Sequence, residues 1–218
     1  QQTQTVELAM RPIIINEIAW AGTSAAKATD EWIEIFNPTS RSINLASTTL
    51  ISETDGGPDI ELSGTLAPRA YYLIERTDDN TVSDITASTT TSFGSGLNNS
   101  GEVLALKKGS VVFDRTPTVA SCGGWCGGSN SGSYPTMQRY DFEASGESSG
   151  NWSSFANILA NGKNADNANI AGTPGKRNSI NYFLDITGSS LTSSKTIKKA
   201  NSPYLVTSVF TVQNGVTM

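Results

Sequence analysis

The chain has no histidine among its 218 residues. That absence excludes Ser-His-Asp and Cys-His nucleophilic sites, histidine-ligated metals and the commonest general base of enzymes. Charge is also scarce, because Asp, Glu, Lys and Arg make up 16% of the residues. A net charge of −5, with only the short basic pairs at 176–177 and 198–199, gives no electrostatic footprint for nucleic acid.

Long apolar runs are missing as well. Even the isoleucine run at 13–15 is followed at once by Asn16 and Glu17, far short of the ~20 residues that a membrane helix needs. The first five residues, QQTQT, have neither an initiating Met nor the apolar segment of a signal peptide. We therefore expect no membrane span and interpret the chain as a piece of a longer, processed protein. Its uncharged polar loops favour an extracellular or cell-envelope location.

The chain has two cysteines, Cys122 and Cys126, separated by Gly123, Gly124 and Trp125. A flexible loop of this length can bring the two Cα atoms within the distance that a disulfide requires. Two free thiols and a metal site are the alternatives, although two cysteines without histidine fall short of the four ligands of a structural zinc site. We expect a disulfide, which would hold a glycine-rich loop and position Trp125.

Short alternating segments between turn residues are what the sequence has in abundance. In residues 30–38 (DEWIEIFNP), Ile33 and Ile35 point to one side of a strand and the residues between them to the other. Pro38 then ends the pairing, since it has no N–H. In a strand over residues 13–20, the same alternation puts two groups on opposite sides: Ile14, Ile18 and Trp20 on one, Ile13 and Ile15 on the other.

Further strands are predicted over residues 43–45, 49–52, 60–62, 71–75, 102–107, 110–115, 137–142 and 151–155, with a short one near 91–93. The connections at 77–101 and 117–135 are long, and no amphipathic helix is predicted within residues 13–178. Short strands at this close spacing are typical of an all-β sandwich or barrel.

Residues 30–38 resemble the signature of the lamin-tail domain, an immunoglobulin-like β-sandwich found in nuclear lamins and in exported bacterial proteins. Similar segments follow in the family's order at 14–18, 43–45, 66–74, 97–102, 112–114, 137–139, 151–152 and 172–178. The resemblance implies an immunoglobulin-like antiparallel β-sandwich with long loops over residues 12–178. Residues 1–11 would be a tail or linker. Residues 179–218 would be a linker and a short β fragment of a further domain, with a weak likeness to a parallel β-helix.

Two positions depart from the family pattern. Ser47 and Thr48 stand where members usually carry Gly-Trp, so the core must take its aromatic bulk elsewhere, for which Trp20 is the candidate. Arg69 stands where a glycine is expected, which argues against a positive-φ turn at that point.

Candidate chemistry is limited to carboxylates. Glu17, Asp30, Glu31 and Glu34 cluster around the first two strands, and a carboxylate-dependent hydrolase needs two such acids, but nothing in their spacing selects a pair. The acidic turns at 55–59, 77–80 and 164–167 contain the ligand types that Ca²⁺ prefers. None has EF-hand spacing, and turn chemistry explains the same residues. We predict no catalytic residues and no cofactor, with Ca²⁺ as the open alternative.

The long loops are where a binding function would lie. Trp125 and Tyr134 are the candidate ligand contacts, and the alternative role for Trp125 is to cover the edge of the sandwich. The resemblance implies a non-catalytic extracellular or cell-envelope module that serves adhesion or positions neighbouring domains. A carbohydrate-binding module and a hydrolase are the rival functions. The expected partners are other domains of a parent protein, with surface polysaccharide or protein as further candidates.

Overall fold

Two main β-sheets are formed in the computed structural model, which describes residues 11–157, 159–182, 190–191, 211–212 and 214–215. The strands of the sandwich are β1 Ile14–Ala19, β2 Trp32–Phe36, β3 Ile43–Asn44, β4 Thr48–Ser52, β5 Asp59–Leu62, β6 Thr65–Leu66, β7 Tyr71–Arg76, β8 Thr89–Thr91, β9 Leu104–Lys108, β10 Val111–Arg115, β11 Met137–Arg139 and β12 Trp152–Ser154. The order is β12-β11-β1-β2-β7-β8 in one sheet and β10-β9-β4-β5 in the other. Every neighbouring pair in these sheets is antiparallel except β7 and β8.

The main core lies between these two sheets. Ile33 and Ile35 of β2 are fully buried there, facing Leu50 and Leu106 of the four-stranded sheet. Trp32 precedes Ile33 and therefore points to the opposite face of the strand, where it belongs to a second apolar cluster. The predicted all-β, immunoglobulin-like fold and the alternation in residues 30–38 are therefore confirmed.

The prediction for the sides of β1 is wrong, because β1 contains a bulge. Its register against β2 shifts between Ile15 and Glu17, so one extra residue, Asn16, interrupts the alternation. As a result Ile13, Ile15, Ile18 and Trp20 all belong to the main core. The bulge also turns Glu17 to the outer face of the sheet.

Several element bounds differ from those predicted. The short strands β3 and β6 pair with each other. Strand β6 is not among the predicted strands, because its two residues are too few to show an alternating pattern. Strand β11 ends at Arg139. Beyond it, the backbone N–H of Tyr140 donates to the Asn151 carbonyl and that of Asp141 to the Asn151 side chain. A four-residue helix, α1 Val119–Cys122, lies in the predicted loop and has no buried residue.

Both departures from the family pattern are accommodated by the backbone. Arg69 has a φ of 58° and Ser47 a φ of 60°, so the turns keep the left-handed conformation without glycine. The expectation that Arg69 rules out such a turn is wrong. Trp20 does supply aromatic bulk to the main core, and Trp152 adds to it.

The outer face of the six-stranded sheet is also covered. Val82 from the 77–88 connection and Ile170 from the segment after β12 pack with Ala19, Trp32 and Leu73. The first two strands are thus buried from both sides, as the apolar residues on both faces of β1 predict.

Two short 3₁₀ helices are present: Ser149–Asn151 comes immediately before β12, and Ser179–Tyr182 follows the last strand of the sandwich. Further along, β13 Ser190–Leu191 pairs in parallel with β14 Thr211–Val212. The predicted division at residue 179 and the likeness to a β-helix fall largely outside the described residues and stay predictions. No helix within the described part of the chain is long and apolar enough to cross a membrane.

Candidate functional site

Two glutamates lie side by side on the outer face of the six-stranded sheet. The bulge in β1 brings Glu17 directly opposite Glu34 of β2. Both side chains are fully buried. Residues 171–179, which follow the last strand of the sheet, lie over them and seal them from solvent.

Glu17 accepts four hydrogen bonds. Its Oε1 accepts from the Thr136 hydroxyl (2.5 Å), the Gln138 side-chain amide (2.9 Å) and the Thr173 backbone N–H (2.9 Å). Its Oε2 accepts from the Thr173 hydroxyl (2.6 Å). This donor set offsets much of the cost of burying a carboxylate.

Glu34 accepts fewer hydrogen bonds. Its Oε1 accepts from the Asn16 side-chain amide (2.8 Å) and its Oε2 from the Gly175 backbone N–H (2.5 Å). The Asn16 amide also donates to the Asn178 side chain (2.9 Å), which in turn donates to the Arg139 carbonyl (2.9 Å). The pair therefore bonds the two central strands to the segment 173–178.

Burial raises the pKa of both carboxyls above the ordinary value of 4.5. For Glu17 the four hydrogen bonds act in the opposite direction and lower the pKa. For Glu34 the nearby Glu17 carboxylate adds to burial, so the pKa of Glu34 is raised well above 4.5. Because like charges this close resist double ionisation, Glu34 is the member of the pair that retains its proton to higher pH.

The four acids proposed for a hydrolase do not form one site. Glu31 lies on the other side of β2 from Glu34, where it pairs with Arg76 (3.1 Å) and accepts from the Leu97 backbone N–H (3.0 Å). Asp30 is half-buried at the start of the strand. Of the four, only Glu17 and Glu34 lie side by side in the sheet. The space above them is filled, because a Cβ added at Gly172 would lie 2.8 Å from Glu17 Oε1. A substrate has no room there.

A buried ion pair joins the two sheets, because Arg139 belongs to β11 and Asp114 to β10. Arg139 and Asp114 are each 1% exposed at the side chain and 2.6 Å apart. Asp114 also accepts from the Ile15 backbone N–H (2.9 Å), and Arg139 donates to the Ile15 carbonyl (3.1 Å). Both residues lie in segments that resemble the family, but the sequence does not indicate that they pair, since 25 positions separate them.

The disulfide predicted between Cys122 and Cys126 is present, with a Cα–Cα distance of 5.3 Å. Trp125, between them, is half-buried and stacks on Trp20, with ring centroids 6.1 Å apart and an interplanar angle of 11°. Its indole N–H donates to the Asn98 carbonyl (2.8 Å). The N–H of Trp20 donates to the Gly127 carbonyl (2.8 Å), so each indole fixes a loop.

Glycine allows this loop to lie against the sandwich. A Cβ at Gly128 would lie 2.4 Å from the Trp20 indole nitrogen, and one at Gly101 would lie 2.7 Å from the Gly124 backbone. No larger residue fits at such a close approach. The loop at 117–135 is thus held by the disulfide, the aromatic stack and backbone contacts.

Tyr134, the second candidate ligand contact, is half-buried and packs against the main core. Its φ of 54° lies in the left-handed region, and its backbone N–H donates to the Ser131 carbonyl (3.2 Å). The structure places Tyr134 and Trp125 on the same loop. Ligand binding by either residue remains a prediction.

The acidic turns proposed for Ca²⁺ make local hydrogen bonds. Asp55 accepts from the Ser52 hydroxyl, Asp78 from the Asn80 backbone N–H and Asn164 from the Asp166 backbone N–H. Within the described residues, no group of three or more Asp, Glu, Cys or His side chains could hold a metal ion.

One edge of the four-stranded sheet is exposed. Val111 and Val112 of β10 are 57% and 38% exposed. Val112 also lines a cleft of about 370 Å³. Arg115 at the end of this strand is paired with Glu53 (2.7 Å) and Glu147 (2.9 Å). The register of β10 shifts after Val112, and such a bulge discourages pairing with another strand.

Two packed β-sheets, antiparallel except for β7 and β8, around one main core define the class of this protein as an immunoglobulin-like domain. Residues 8–119 match the family model of the Lamin Tail Domain. The chain belongs to this family. The comparison with curated proteins found no match.

Proposed function

We propose that this chain is a non-catalytic extracellular or cell-envelope module that presents loops for binding and positions the domains next to it. The observation that carries this proposal is the sealed pair of glutamates. Glu17 and Glu34 are the adjacent acids best placed for acid-base chemistry, and their oxygens are occupied by groups of the protein itself.

The same bonds support a positioning role. Thr173, Gly175 and Asn178, in the segment that follows the last strand of the sandwich, bond to the six-stranded sheet. A segment fixed in this way gives the chain a defined exit direction from the sandwich. A flexible exit would transmit no orientation to a following domain.

The disulfide supports the proposed location. Disulfides form and persist in oxidising compartments and are rare in the cytosol. Cys122 and Cys126 are both engaged in the bond. The protein is isolated from its native source without reductant and treated with an alkylating reagent. Mass spectrometry should then find neither cysteine alkylated, because both are in the disulfide.

Turnover assays test the absence of catalysis. The wild-type chain is incubated with chromogenic glycosides, esters and phosphates, and the variants Glu34→Gln and Asp30→Asn are assayed beside it. We expect no turnover by any of the three proteins. Turnover by the wild type that either variant abolishes while keeping its fold would establish a carboxylate-dependent hydrolase and contradict the proposal.

A further inference from the structure

We propose that Trp125 and the uncharged surface around it form a binding site for a neutral saccharide. This inference rests on the proposed function and names a class of ligand for it. It depends on a juxtaposition of two loops that lie far apart in the sequence.

The two loops share an unusual composition. Residues 85–101 and 116–138 contain no Asp, Glu, Lys or Arg, although the chain as a whole carries 35 such residues, 15 basic and 20 acidic. The indole of Trp125 donates to the Asn98 carbonyl, and Gly101 and Gly124 are in close contact. The structure therefore merges two charge-free stretches into one surface.

Amides and hydroxyls dominate the exposed part of this surface. Asn98, Asn99 and Ser100 are exposed on one loop. The other loop exposes four similar residues, namely Ser121, Asn130, Ser131 and Ser133. Such groups both donate and accept hydrogen bonds, which matches the hydroxyls of a sugar. Neither stretch carries a cation of its own, and Arg76, which lies against Gly96, is already paired with Glu31. The surface therefore favours a neutral saccharide over an acidic one.

Trp125 supplies the apolar part of the site. One face of its indole stacks on Trp20, and the residue stays partly exposed. The neighbours of Trp125 on its own loop include Gly123, Gly124 and Gly127, which have no side chains that could cover the ring. An aromatic ring provides a flat apolar surface of the kind that packs against the C–H face of a sugar.

The site is also rigid before any ligand binds. The disulfide flanks Trp125, the Asn98 carbonyl fixes the indole N–H, and Glu102 Oε1 accepts from the Asn98 backbone N–H (3.0 Å). Preorganisation lowers the entropy cost of binding. For a partly exposed, shallow site we expect a Kd on the order of 10⁻⁴ M.

Calorimetry with the full 218-residue chain tests the proposal. The probes are hexasaccharides of β-glucan, α-glucan, mannan and N-acetylglucosamine, with oligogalacturonate as the acidic comparison. We expect at least one neutral probe to bind and the acidic probe to bind at least about tenfold more weakly, a difference of ~1.4 kcal/mol.

Variants of Trp125 then test whether this residue contributes to saccharide affinity. Trp125→Ala should weaken binding by about tenfold or more, and Trp125→Phe, which keeps a ring against Trp20, should lie between it and the wild type. Tyr140→Ala is the matched control, because Tyr140 is an aromatic residue that is 40% exposed outside the two loops, and it should change affinity by less than about twofold.

Two results overturn the saccharide site: no neutral probe binds, or both Trp125 variants bind as the wild type does. If Trp125→Ala does not fold, Trp125→Phe decides. Chromatography of the probes after incubation shows whether the saccharide has been cleaved, and this separates failure of the saccharide site from failure of the proposed function. Intact but unbound saccharide contradicts the site alone, whereas cleaved saccharide contradicts the non-catalytic role.

Discussion

The outer face of the six-stranded sheet and the disulfide loop are both covered by long connecting segments, but these segments are held by different means. On the outer face, buried carboxylates accept hydrogen bonds from residues more than 100 positions away, such as Thr136 and Thr173 on Glu17. In the loop, a covalent bond and a pair of stacked indoles fix the chain.

This difference separates two uses of unusual residues. A buried acid with a raised pKa is a common mark of an active site. Here the acids lie beneath the chain, where they determine which segment covers the sheet. The loop contains no shifted acid of its own and keeps an aromatic residue partly exposed. Our proposed binding surface therefore follows the partly exposed aromatic residue and not the acids with a shifted pKa.

The largest expected effect breaks the outer face. Glu17 now accepts hydrogen bonds from four donors. Glu17→Gln places an amide N–H₂ among these donors and leaves some of them buried without an acceptor. We expect the free energy of unfolding to fall by about 3–5 kcal/mol. Urea denaturation followed by circular dichroism measures it.

Glu34→Gln is the matched control for that variant. Because Glu34 accepts two hydrogen bonds and retains its proton more readily, an amide replaces it at a smaller cost, about 1–2 kcal/mol. Equal losses for the two variants would contradict the unequal roles assigned to the pair.

The second prediction breaks the loop. Replacing Cys122 and Cys126 with Ser removes a constraint on a short ring, which the chain-entropy relation values at about 2 kcal/mol. The effect should be local, so Trp125 should become more exposed while the sheets stay intact. Tryptophan fluorescence quenching and amide hydrogen exchange measure these changes. Slower quenching would contradict the predicted exposure of Trp125. Exchange that spreads through β1 and β2 would show that the loop is not independent.

The third prediction concerns pH, because both regions are supported by acids whose pKa burial raises to about 7: Glu75 on the outer face, and Glu31 and Glu102 beneath the loops. The ordinary value is 4.5. Between these pH values the folded chain binds protons that the unfolded chain has released, so this stability is complete below about 4.5 and is lost as pH rises through about 7.

The Tm should therefore be several degrees higher at pH 5 than at pH 8, given ~2–4 °C per kcal/mol for a chain of this size. Differential scanning calorimetry at the two pH values tests the sign. Glu75→Gln and Glu102→Gln should each flatten the dependence, one for each region. A Tm that rises from pH 5 to pH 8 would contradict the assignment.

The smallest expected effect lies outside both regions. Ser47→Gly relieves a left-handed residue but increases the freedom of the unfolded chain, for a net gain of about 0.5 kcal/mol. Arg69→Gly should gain less, because the Arg69 guanidinium also lies 5.3 Å from the centroid of the Phe142 ring. Chemical denaturation of the two variants compares them. A larger gain for Arg69→Gly would mean that the cation-π contact is worth nothing.

The strands and the position of the disulfide could be predicted from the sequence because both depend on local patterns. Ile33 and Ile35 alternate within one strand, and Cys122 and Cys126 are four positions apart. The side of β1 that each residue faces could not, since the bulge at Asn16 arises from pairing with β2 and leaves no mark in the alternation itself.

The site was harder to predict for the same reason. Nothing near Glu17 in the sequence indicates that Thr173, 156 positions later, will bond to it. Residue type alone makes these acids candidate catalysts, whereas their burial follows only from the tertiary structure. Trp125 was recognisable as unusual, but its stack on Trp20 joins residues that are more than 100 positions apart.

A pH titration of the side-chain carboxyl carbons of Glu17 and Glu34 by ¹³C NMR tests most directly whether these acids are sealed beneath the chain. We predict that both titrate above the ordinary value of 4.5, with Glu34 losing its proton at the higher pH. Titration of both carboxyls near 4.5 would show that they are open to water, and it would contradict the claim that they hold the chain against the sheet.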